Sequence, residues 1–486
     1  MSHRTLLVVV LFLSIFTYDL ARPTDIDFWW HLRTGQLIAE SGEVPRTDPF
    51  SFTAAGRPWV AHEWLWELGV FRLYQVGGYR AAVLLSGLVV TLAYALLYRL
   101  LRHLGANEIA AAALVLWAAF LGLPHLGARP REFTFLFFAF FLDRLYRHCR
   151  GESARLWLLP LIMPLWANLH GGFVFGLGLL GLFALPETMA WLAGKGPAPR
   201  QLWAVTILAI LATGVHPLGP RVLLYPLDYY RGSQNPSFQS VTEFASPNFH
   251  EPLNLVFAAG FVALLLLPAA KVAGSGVDAL LVAVFALQAL VSVRQVALCA
   301  LVFSPVLVRR AVHRFGFVRE RAPIRLPRLV SQFNVALLAA FLLGAVVFAA
   351  RQPGLQLGMK PRTADLPVAG ARFIQEHHLP DPVFNFQPWG GYLIHEWYPE
   401  RRVFIDGRMD MYGKAIADDY INATAAKPDW GEILDRWGIQ TVLLPKDSPL
   451  AAVLRADPHW QRLFAGDIEE VFGRAGDARP GDGRRS

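Results

Sequence analysis

Two aspartates separated by one residue, Asp25 and Asp27, follow the first apolar run of the sequence. Alternate side chains of an extended stretch point the same way. These carboxylates could therefore share a divalent cation, Mg²⁺ or Mn²⁺, or one of them could act as a general base. Asp-x-Asp is also a common pattern, and Asp25 could simply cap a helix that begins at Phe28. Spacing alone leaves both interpretations open.

More titratable residues lie in the same polar segment. His31 follows the aspartates, Asp48 lies in the middle, and the pair His62 and Glu63 stands near the end of the segment. Titratable side chains near a membrane surface are costly to leave unpaired, so their concentration predicts a polar, substrate-binding cavity. As alternatives, Asp48 could hydrogen-bond the backbone of a turn, and a histidine could act only as a hydrogen-bonding residue at the interface. The tryptophans of this segment could form no more than an interfacial aromatic belt.

Basic residues at the ends of other apolar runs are candidate phosphate ligands. Arg129 and Arg131 lie beside Glu132 in the turn between the third and fourth runs, and Arg294 lies at a later polar break. A guanidinium can hold phosphate oxygens in bidentate fashion. The alternative for Arg129 and Arg131 is anchoring at the membrane interface. His170, in the segment WANLHGGF, is predicted at the same face.

Long apolar runs must position these residues. The sequence is 54% hydrophobic, and runs of about 20 residues cross a hydrocarbon core of roughly 30 Å. The chain is therefore predicted to be an all-α, polytopic membrane protein of about eleven spans. Their centres lie near Val10, Val89, Val115, Phe138, Leu161, Leu180, Ile207, Val262, Val284, Val302 and Ala340. The fifth and sixth runs, like the ninth and tenth, form either a tight hairpin or one bent helix.

The distribution of Arg and Lys predicts the orientation. Basic residues cluster at alternate ends of the runs, most densely from 309 to 328, and such clusters favour the cytoplasmic side. A cytoplasmic N-terminus follows, with the first loop and the C-terminal region outside the inner membrane, in the periplasm. The net charge of +8 thus reflects topology, and no motif indicates nucleic acid. Cys149 is predicted in the cytoplasm and Cys299 inside a span, so the two cannot form a disulfide framework across the membrane.

Three regions are predicted along the chain. Residues 1–350 form the membrane domain, and its first outer loop (21–79) carries two stretches of amphipathic spacing that are typical of interfacial helices. Residues 351–474 form a soluble α/β domain, with a helix over 368–377 and strands over 383–386, 403–405 and 441–444. Residues 475–486 are Gly- and Arg-rich and predicted to be disordered.

A charged motif follows the second of these predicted strands. Asp406, Arg408 and Asp410 could bind a ligand at the strand end, or they could form a local ion pair in a turn. We favour a structural role or contact with an acceptor.

Several segments together resemble the GT-C superfamily of membrane glycosyltransferases: DIDFWWHLRTG, GRPWVAHEWL, LHGG, GGYLI and RRVFIDGR. The resemblance implies a catalytic acid in the first outer loop, a polyprenyl-phosphate sugar in the membrane part and an acceptor-binding outer domain. It makes Asp27 or Asp25 the candidate base or metal-linked carboxylate and Glu132 a second acidic candidate, with His62 and Glu63 lining the cavity. Asp25-Ile26-Asp27 departs from the Asp-Glu pair of the lipid A branch, so the base and the metal stay open.

The leading hypothesis is transfer of a sugar from a polyprenyl-phosphate donor to an envelope glycan, lipid or protein acceptor on the outer face of the inner membrane. One alternative is a polysaccharide or lipid transporter, which the scarcity of acids within the spans disfavours. Another is a noncatalytic scaffold for envelope assembly. The hypothesis predicts that Asp27 and Arg294 face one outward-opening cavity.

Overall fold

The computed structural model describes residues 2–20, 25–122, 127–225, 227, 244–267, 275–316, 327–351 and 365–476. The chain divides into two compact units. The helical unit comprises Met1–Pro23, Gly77–Pro226 and Val241–Met359, and the mixed unit comprises Thr24–Val76, Leu227–Ser240 and Lys360–Ser486. The mixed unit thus combines most of the first loop with the C-terminal region.

Apolar helices build the first part of the chain. They are α1 His3–Leu20, α2 Phe28–Ser41, α3 Trp64–His103, α4 Glu108–Gly122, α5 Arg131–Cys149, α6 Leu158–Leu169, α7 Phe173–Leu192, α8 Arg200–Thr213, α9 Pro252–Leu266, α10 Ser275–Val291, α11 Val296–Phe315 and α12 Arg328–Arg351. All the predicted span centres lie in helices. Among the described residues, five helices are long and apolar enough to cross a membrane, and five more are apolar but shorter. The chain is therefore a membrane protein, and the number of its spans stays a prediction.

The two ambiguous pairs of runs are separate helices. His170 adopts an extended conformation (φ −162°, ψ 142°) between α6 and α7, and Ser292 does the same (φ −142°, ψ 122°) between α10 and α11. Neither conformation continues an α-helix. The chain therefore turns at both polar breaks rather than running through them as one bent helix.

Helix α3 is interrupted at Gly78, where φ is 63° and ψ is −161°. Residues with a Cβ rarely adopt this conformation, so a glycine suits the break. The second amphipathic stretch of the first loop and the run centred on Val89 lie on its two sides.

The elements of the C-terminal region are α13 Val368–Glu376, β1 Val383–Asn385, α14 Gly390–Trp397, α15 Met409–Thr424, α16 Trp430–Arg436, β2 Thr441–Pro445, α17 Pro449–Ala456, β3 Trp460–Ala465 and β4 Glu469–Arg474. In the described part of the mixed unit, the strands form a four-stranded sheet in the order β1-β2-β4-β3. Strand β1 is parallel to β2, and β4 is antiparallel to both β2 and β3. The helix and the first and third strands predicted here coincide with α13, β1 and β2. Of the predicted disordered tail, residues 477–486 lie outside the described residues.

The predicted strand over 403–405 does not join this sheet. Val403 instead forms a single parallel bridge with Ser51 of the first loop. Its amide donates to the carbonyl of Phe50 (3.1 Å) and its carbonyl accepts from the amide of Phe52 (3.1 Å), while the next amide, of Phe404, donates to Asn385 Oδ1 (2.8 Å). The segment is extended, as its apolar pattern predicts, but the first loop and a buried side chain satisfy its backbone groups.

Candidate active site

The acidic turn, residues 25–27, precedes α2 and is not extended. Asp27 has helical backbone angles (φ −79°, ψ −18°), and the Asp25 Oδ1 atom accepts a hydrogen bond from the Asp27 amide (2.7 Å). The expectation that the two carboxylates project together from an extended stretch is therefore wrong. Helix α2 begins at Phe28, as the capping alternative predicted. Asp25, however, accepts its hydrogen bond from the amide of Asp27, which precedes the helix, and not from the first turn of the helix. This is the usual turn chemistry of an aspartate.

The Asp27 carboxylate is partly buried against two other residues of the mixed unit. Its Oδ1 atom accepts a hydrogen bond from Trp30 Nε1 (3.0 Å). The same oxygen lies so close to Gly407 that a Cβ atom at position 407 would overlap it. Local sequence patterns could not predict this contact, because Gly407 is distant from Asp27 in the chain. Asp27 thus has a defined orientation, which a general base needs.

His31 lies between two carboxylates, those of Glu63 and Glu67. Its Nδ1 atom is 3.2 Å from Glu67 Oε1 and its Nε2 atom is 3.7 Å from Glu63 Oε2. His62 Nε2 lies 3.4 Å from the other oxygen of Glu63. The predicted residues His31, His62 and Glu63 are therefore neighbours, and Glu67 is an addition. The sequence could have indicated Glu67, because it lies four residues, about one helical turn, after Glu63.

The electrostatics of this cluster favour a proton on His62. Burial acts to lower the pKa of His62, but the carboxylate of Glu63, together with smaller contributions from Asp410 and Glu67, raises the pKa above its ordinary value. A charged imidazole beside a carboxylate can hold or move a proton. The cluster is thus chemically able to assist acid–base work.

The tryptophans of the first loop are mostly buried within the mixed unit. Trp29 packs edge-on against Tyr392 of α14, with ring centroids 5.7 Å apart, and Trp30 packs in the same way against Trp59 at 6.3 Å. Trp29, Trp30, Trp59 and Trp66 are all buried. Protein contacts, rather than an aromatic belt alone, account for these four residues.

Arg408 forms the charged centre of the mixed unit. Its guanidinium binds Asp406 through Nε (2.9 Å) and Nη2 (2.6 Å), and Nη2 also lies 2.9 Å from Asp48 Oδ1 of the first loop. It lies over the Trp59 ring, 4.4 Å from the centroid. Burial acts to lower the pKa of Arg408, but Asp406 and Asp48 raise it above its ordinary value. The ion-pair interpretation of this motif is correct for Asp406, and the sequence did not reveal the partner Asp48.

In the helical unit, Glu132 is almost completely buried (1% exposed). Its Oε1 atom accepts hydrogen bonds from Ser86 Oγ (2.6 Å) and from the Gly127 amide (3.0 Å). Ser86 Oγ also lies 2.6 Å from Asp19 Oδ2. A hydroxyl has one proton, so it can donate to only one of the two carboxyl groups at a time. Sequence reasoning found Glu132 and missed Asp19 and Ser86, which lie on other helices.

The predicted basic ligands of the helical unit are partly brought together. Arg131 donates a hydrogen bond to the main-chain carbonyl of Arg294, and the Arg294 guanidinium lies 5.5 Å from the ring centroid of Phe244. The carbonyl of Arg129 accepts the amide hydrogen of Glu132 (3.4 Å).

His170 is held on the helical unit by a threonine of α5. Its Nδ1 atom lies 2.7 Å from Thr134 Oγ1 and 2.9 Å from the amide of Gly172. Thr134 lies two residues after Glu132, so α5 carries both the buried acid and the partner of the histidine. The cavity that Asp27 and Arg294 are predicted to share stays a prediction.

The acidic turn offers few donors for a divalent cation. Asp25 and Asp27 supply two carboxylates, and one oxygen of each already accepts a hydrogen bond. Within the described ranges, no group of three or more His, Cys, Asp or Glu side chains lies together as metal ligands usually do. The Mg²⁺ or Mn²⁺ site therefore stays a prediction.

Comparisons with known proteins identify the fold. No protein-family model matches the sequence, and no curated protein matches it significantly. Two structures of an oligosaccharyltransferase from Archaeoglobus fulgidus are similar to this chain, each with a TM-score of 0.53 over 91% of this chain and 69% of theirs. One is in the apo form (12% identity) and the other, of AglB, holds an inhibitory peptide and a dolichol-phosphate (11% identity). ArnT from Cupriavidus metallidurans bound to undecaprenyl phosphate is also similar, with 14% identity, a TM-score of 0.47 and coverage of 97% and 98%.

The likeness to the oligosaccharyltransferase shows that this chain has the fold of the GT-C membrane glycosyltransferases. The resemblance predicted from the sequence is thereby confirmed at the level of the fold. Activity depends on the site rather than on the fold.

Proposed function

We propose that this protein is a membrane glycosyltransferase that transfers a sugar from a polyprenyl-phosphate donor to an envelope acceptor, a glycan, lipid or protein. The observation that carries the proposal is the fixed orientation of Asp27 in a chain with the GT-C fold. A similar structure holds a dolichol-phosphate, and this supports a polyprenyl-phosphate donor. The acidic turn that supplies the base lies in the mixed unit, beside the C-terminal residues.

The proposed reaction is a single displacement. The Asp27 carboxylate takes the proton of the acceptor hydroxyl while the acceptor oxygen bonds to the anomeric carbon of the sugar. The bond between that carbon and the phosphate oxygen breaks, and the lipid phosphate leaves with its electrons, so the anomeric configuration inverts. In the helical unit, Arg129, Arg131 and Arg294 are the proposed ligands of the donor phosphate, through charge and hydrogen bonding.

The remaining candidate residues have supporting roles in this proposal. His31, His62 and Glu63 would contact substrate and exchange protons with it, and His170 would line the donor path. Glu132 is a second acidic candidate in the helical unit. A divalent cation at Asp25 and Asp27 would neutralise phosphate charge when bound, and loss of activity in EDTA that Mg²⁺ or Mn²⁺ restores would support it.

The proposed location is the inner membrane, with the N-terminus cytoplasmic and the mixed unit periplasmic. The strongest support is the dense group of arginines from 309 to 328, which favours the cytoplasmic side. Reporter fusions after residues 316 and 476 test it, because only the second should report a periplasmic location.

The central test uses purified protein in proteoliposomes with radiolabelled polyprenyl-phosphate sugars and a membrane extract as the acceptor source. We expect covalent transfer by the wild type and a loss of about 100-fold or more in Asp27→Asn, the range of a general base. Asp467→Asn is the matched control, since Asp467 is an exposed acid of the same unit. Unchanged turnover in Asp27→Asn would remove that residue from the mechanism. Flux of the labelled lipid without a covalent product would favour a transporter instead.

A further inference from the structure

Two glycines of the C-terminal region, Gly391 and Gly407, contact the acidic turn. A Cβ atom on Gly407 would overlap Asp27 Oδ1 and would lie 3.0 Å from Asp27 Cγ. A Cβ atom on Gly391 would lie 2.6 Å from the carbonyl oxygen of Ile26. Neither glycine has a positive φ, so the backbone does not demand a glycine at either position. The close approach to the turn is what excludes a side chain here.

Trp30 completes the contact. Its Nε1 atom donates to Asp27 Oδ1 (3.0 Å) and lies 3.5 Å from the position of a Cβ on Gly407, while its Cδ1 atom lies 3.2 Å from the position of a Cβ on Gly391. The Asp27 carboxylate is therefore confined between an indole and a glycine backbone. An indole N–H and a bare Cα thus lie against the same carboxylate oxygen and restrict its rotation.

The two glycines are themselves fixed in the mixed unit. A Cβ on the neighbouring Gly390 would overlap the carbonyl oxygen of Ile405, so the first turn of α14 lies directly on the segment that leads to Gly407. On the other side of Gly407, Arg408 is held by Asp48 and Asp406. Two buried carboxylates therefore fix the orientation of the guanidinium next to Gly407. The acidic turn thus lies on a fixed surface made by the C-terminal region.

We infer that Gly391 and Gly407 are positioning residues that hold Asp27 in the orientation in which it takes the acceptor proton. The inference rests on the proposed function and adds a role for the C-terminal region in catalysis itself. Gly407 acts on the carboxylate directly, and Gly391 acts on the backbone of the turn. Neither residue needs to touch a substrate.

Kinetics of Gly407→Ala test the inference. The new methyl group must displace the carboxylate, and a misplacement of about 1 Å can cost roughly 100-fold in rate. We expect kcat to fall by about that factor with KM for the donor within about twofold, the pattern of an interaction that matters only in the transition state. Gly391→Ala should act in the same direction. Gly431→Ala is the control, because nothing lies within 4 Å of its added methyl group. A wild-type kcat in Gly407→Ala, or a change in KM alone, would overturn the inference.

A cross-link tests the contact without relying on activity. The double variant Asp27→Cys with Gly407→Cys, in a Cys149→Ser background because Cys149 is exposed, should form a disulfide, since the two Cβ atoms lie within the range of about 3.5 to 4.5 Å that it needs. The pair Asp27→Cys with Gly431→Cys should not. Mass spectrometry of the linked peptides measures both. Absence of the first disulfide would refute the contact. A wild type that transfers no sugar would refute the proposed function instead, and the cross-link would still decide whether the glycines hold the turn.

Discussion

Arg408 and Asp48 form a buried ion pair, with 2.9 Å between Nη2 and Oδ1 and with side chains that are 1% and 0% exposed. The pair joins the C-terminal region to the first loop within the mixed unit. Asp48 oxygens also accept hydrogen bonds from the amides of Phe50 and Ser51 (both 3.1 Å). The aspartate therefore shapes its own turn and binds the arginine at the same time.

Arg408→Ala should destabilise the mixed unit strongly. It leaves the buried carboxylates of Asp48 and Asp406 without their cation, and breaking a buried pair typically costs about 3–5 kcal/mol of unfolding free energy. Limited proteolysis over a temperature series in detergent would measure this. Arg436→Ala is the control, since Arg436 is 57% exposed in its pair with Asp419 and such pairs contribute at most about 1 kcal/mol. Equal losses in the two variants would contradict the prediction.

Asp25 and Asp27 should respond differently to conservative substitution. If Asp25 acts only through the turn, Asp25→Asn should keep activity within about threefold, because the Oδ1 atom of an asparagine can still accept the Asp27 amide. Asp25→Ala should lose the turn and fall by about tenfold. Turnover of the two variants in proteoliposomes measures the difference. If Asp25→Asn is as inactive as Asp27→Asn, the charge of Asp25 matters, as a cation site or a second base requires.

His395 should make the mixed unit less stable in acid. Burial, and then the Arg33 guanidinium, lower its pKa from 6.5 to about 4, and its buried Nδ1 atom has no hydrogen-bond partner among the described residues. As the pH falls below about 6.5, the unfolded chain binds a proton at this histidine that the folded chain does not bind. The free energy of unfolding therefore decreases until the pH reaches the pKa of the folded state.

The measurement for His395 is the thermal midpoint from about pH 7 to about pH 5, where the difference in proton binding is largest. His395→Gln should lose less stability over this range than the wild type does. His459→Gln, which changes an exposed histidine, should behave as the wild type. Parallel curves for the wild type and His395→Gln would show that this histidine does not titrate as described.

Ser86→Ala should destabilise the helical unit. Ser86 is the hydroxyl between Asp19 and Glu132, and removing one partner of a buried polar group costs about 1–3 kcal/mol. Ser304→Ala is the matched control: Ser304 is also buried, but its hydroxyl donates to the Ala300 carbonyl of its own helix (2.8 Å) and does not join two carboxyl groups. Thermal midpoints in detergent compare the two, and a larger loss in Ser304→Ala would exclude the assigned role of Ser86.

Local patterns predicted part of this fold. Long hydrophobic runs located the apolar helices and short apolar runs located β1 and β2, because both signals depend on near neighbours in the sequence. The helices α14 to α17 and the strands β3 and β4 were not predicted. The segment around Val403 shows the limit of prediction from local patterns. Its apolar residues indicate an extended backbone, but nothing local says that its partner is the first loop.

In the candidate site, too, residue types could be recognised from the sequence, but contacts between distant residues could not. Asp27, His31, His62 and Glu63 were found because their types are unusual beside a membrane, and Glu67 was missed although it lies one turn from Glu63. The glycines that contact the acidic turn could not be found, because glycine has no side chain to signal a role. The extended geometry expected for Asp25 and Asp27 failed because the Asp25 side chain competes for the backbone and forms a turn.

Ser51 forms a β-bridge with Val403, and Thr53 donates a hydrogen bond to the carbonyl of Phe404, 351 residues further along the chain. The first loop and the C-terminal region therefore depend on each other for their folded structure. A fragment that begins near residue 365 would expose the edge that the loop normally covers, and a chain cut near residue 350 would leave the loop without its support. We therefore expect neither fragment to keep its native structure when it is expressed alone or moved into another protein. Homologous sequences should therefore vary in a correlated way at positions 48–59 and 403–412, and chimaeras should exchange both stretches at once.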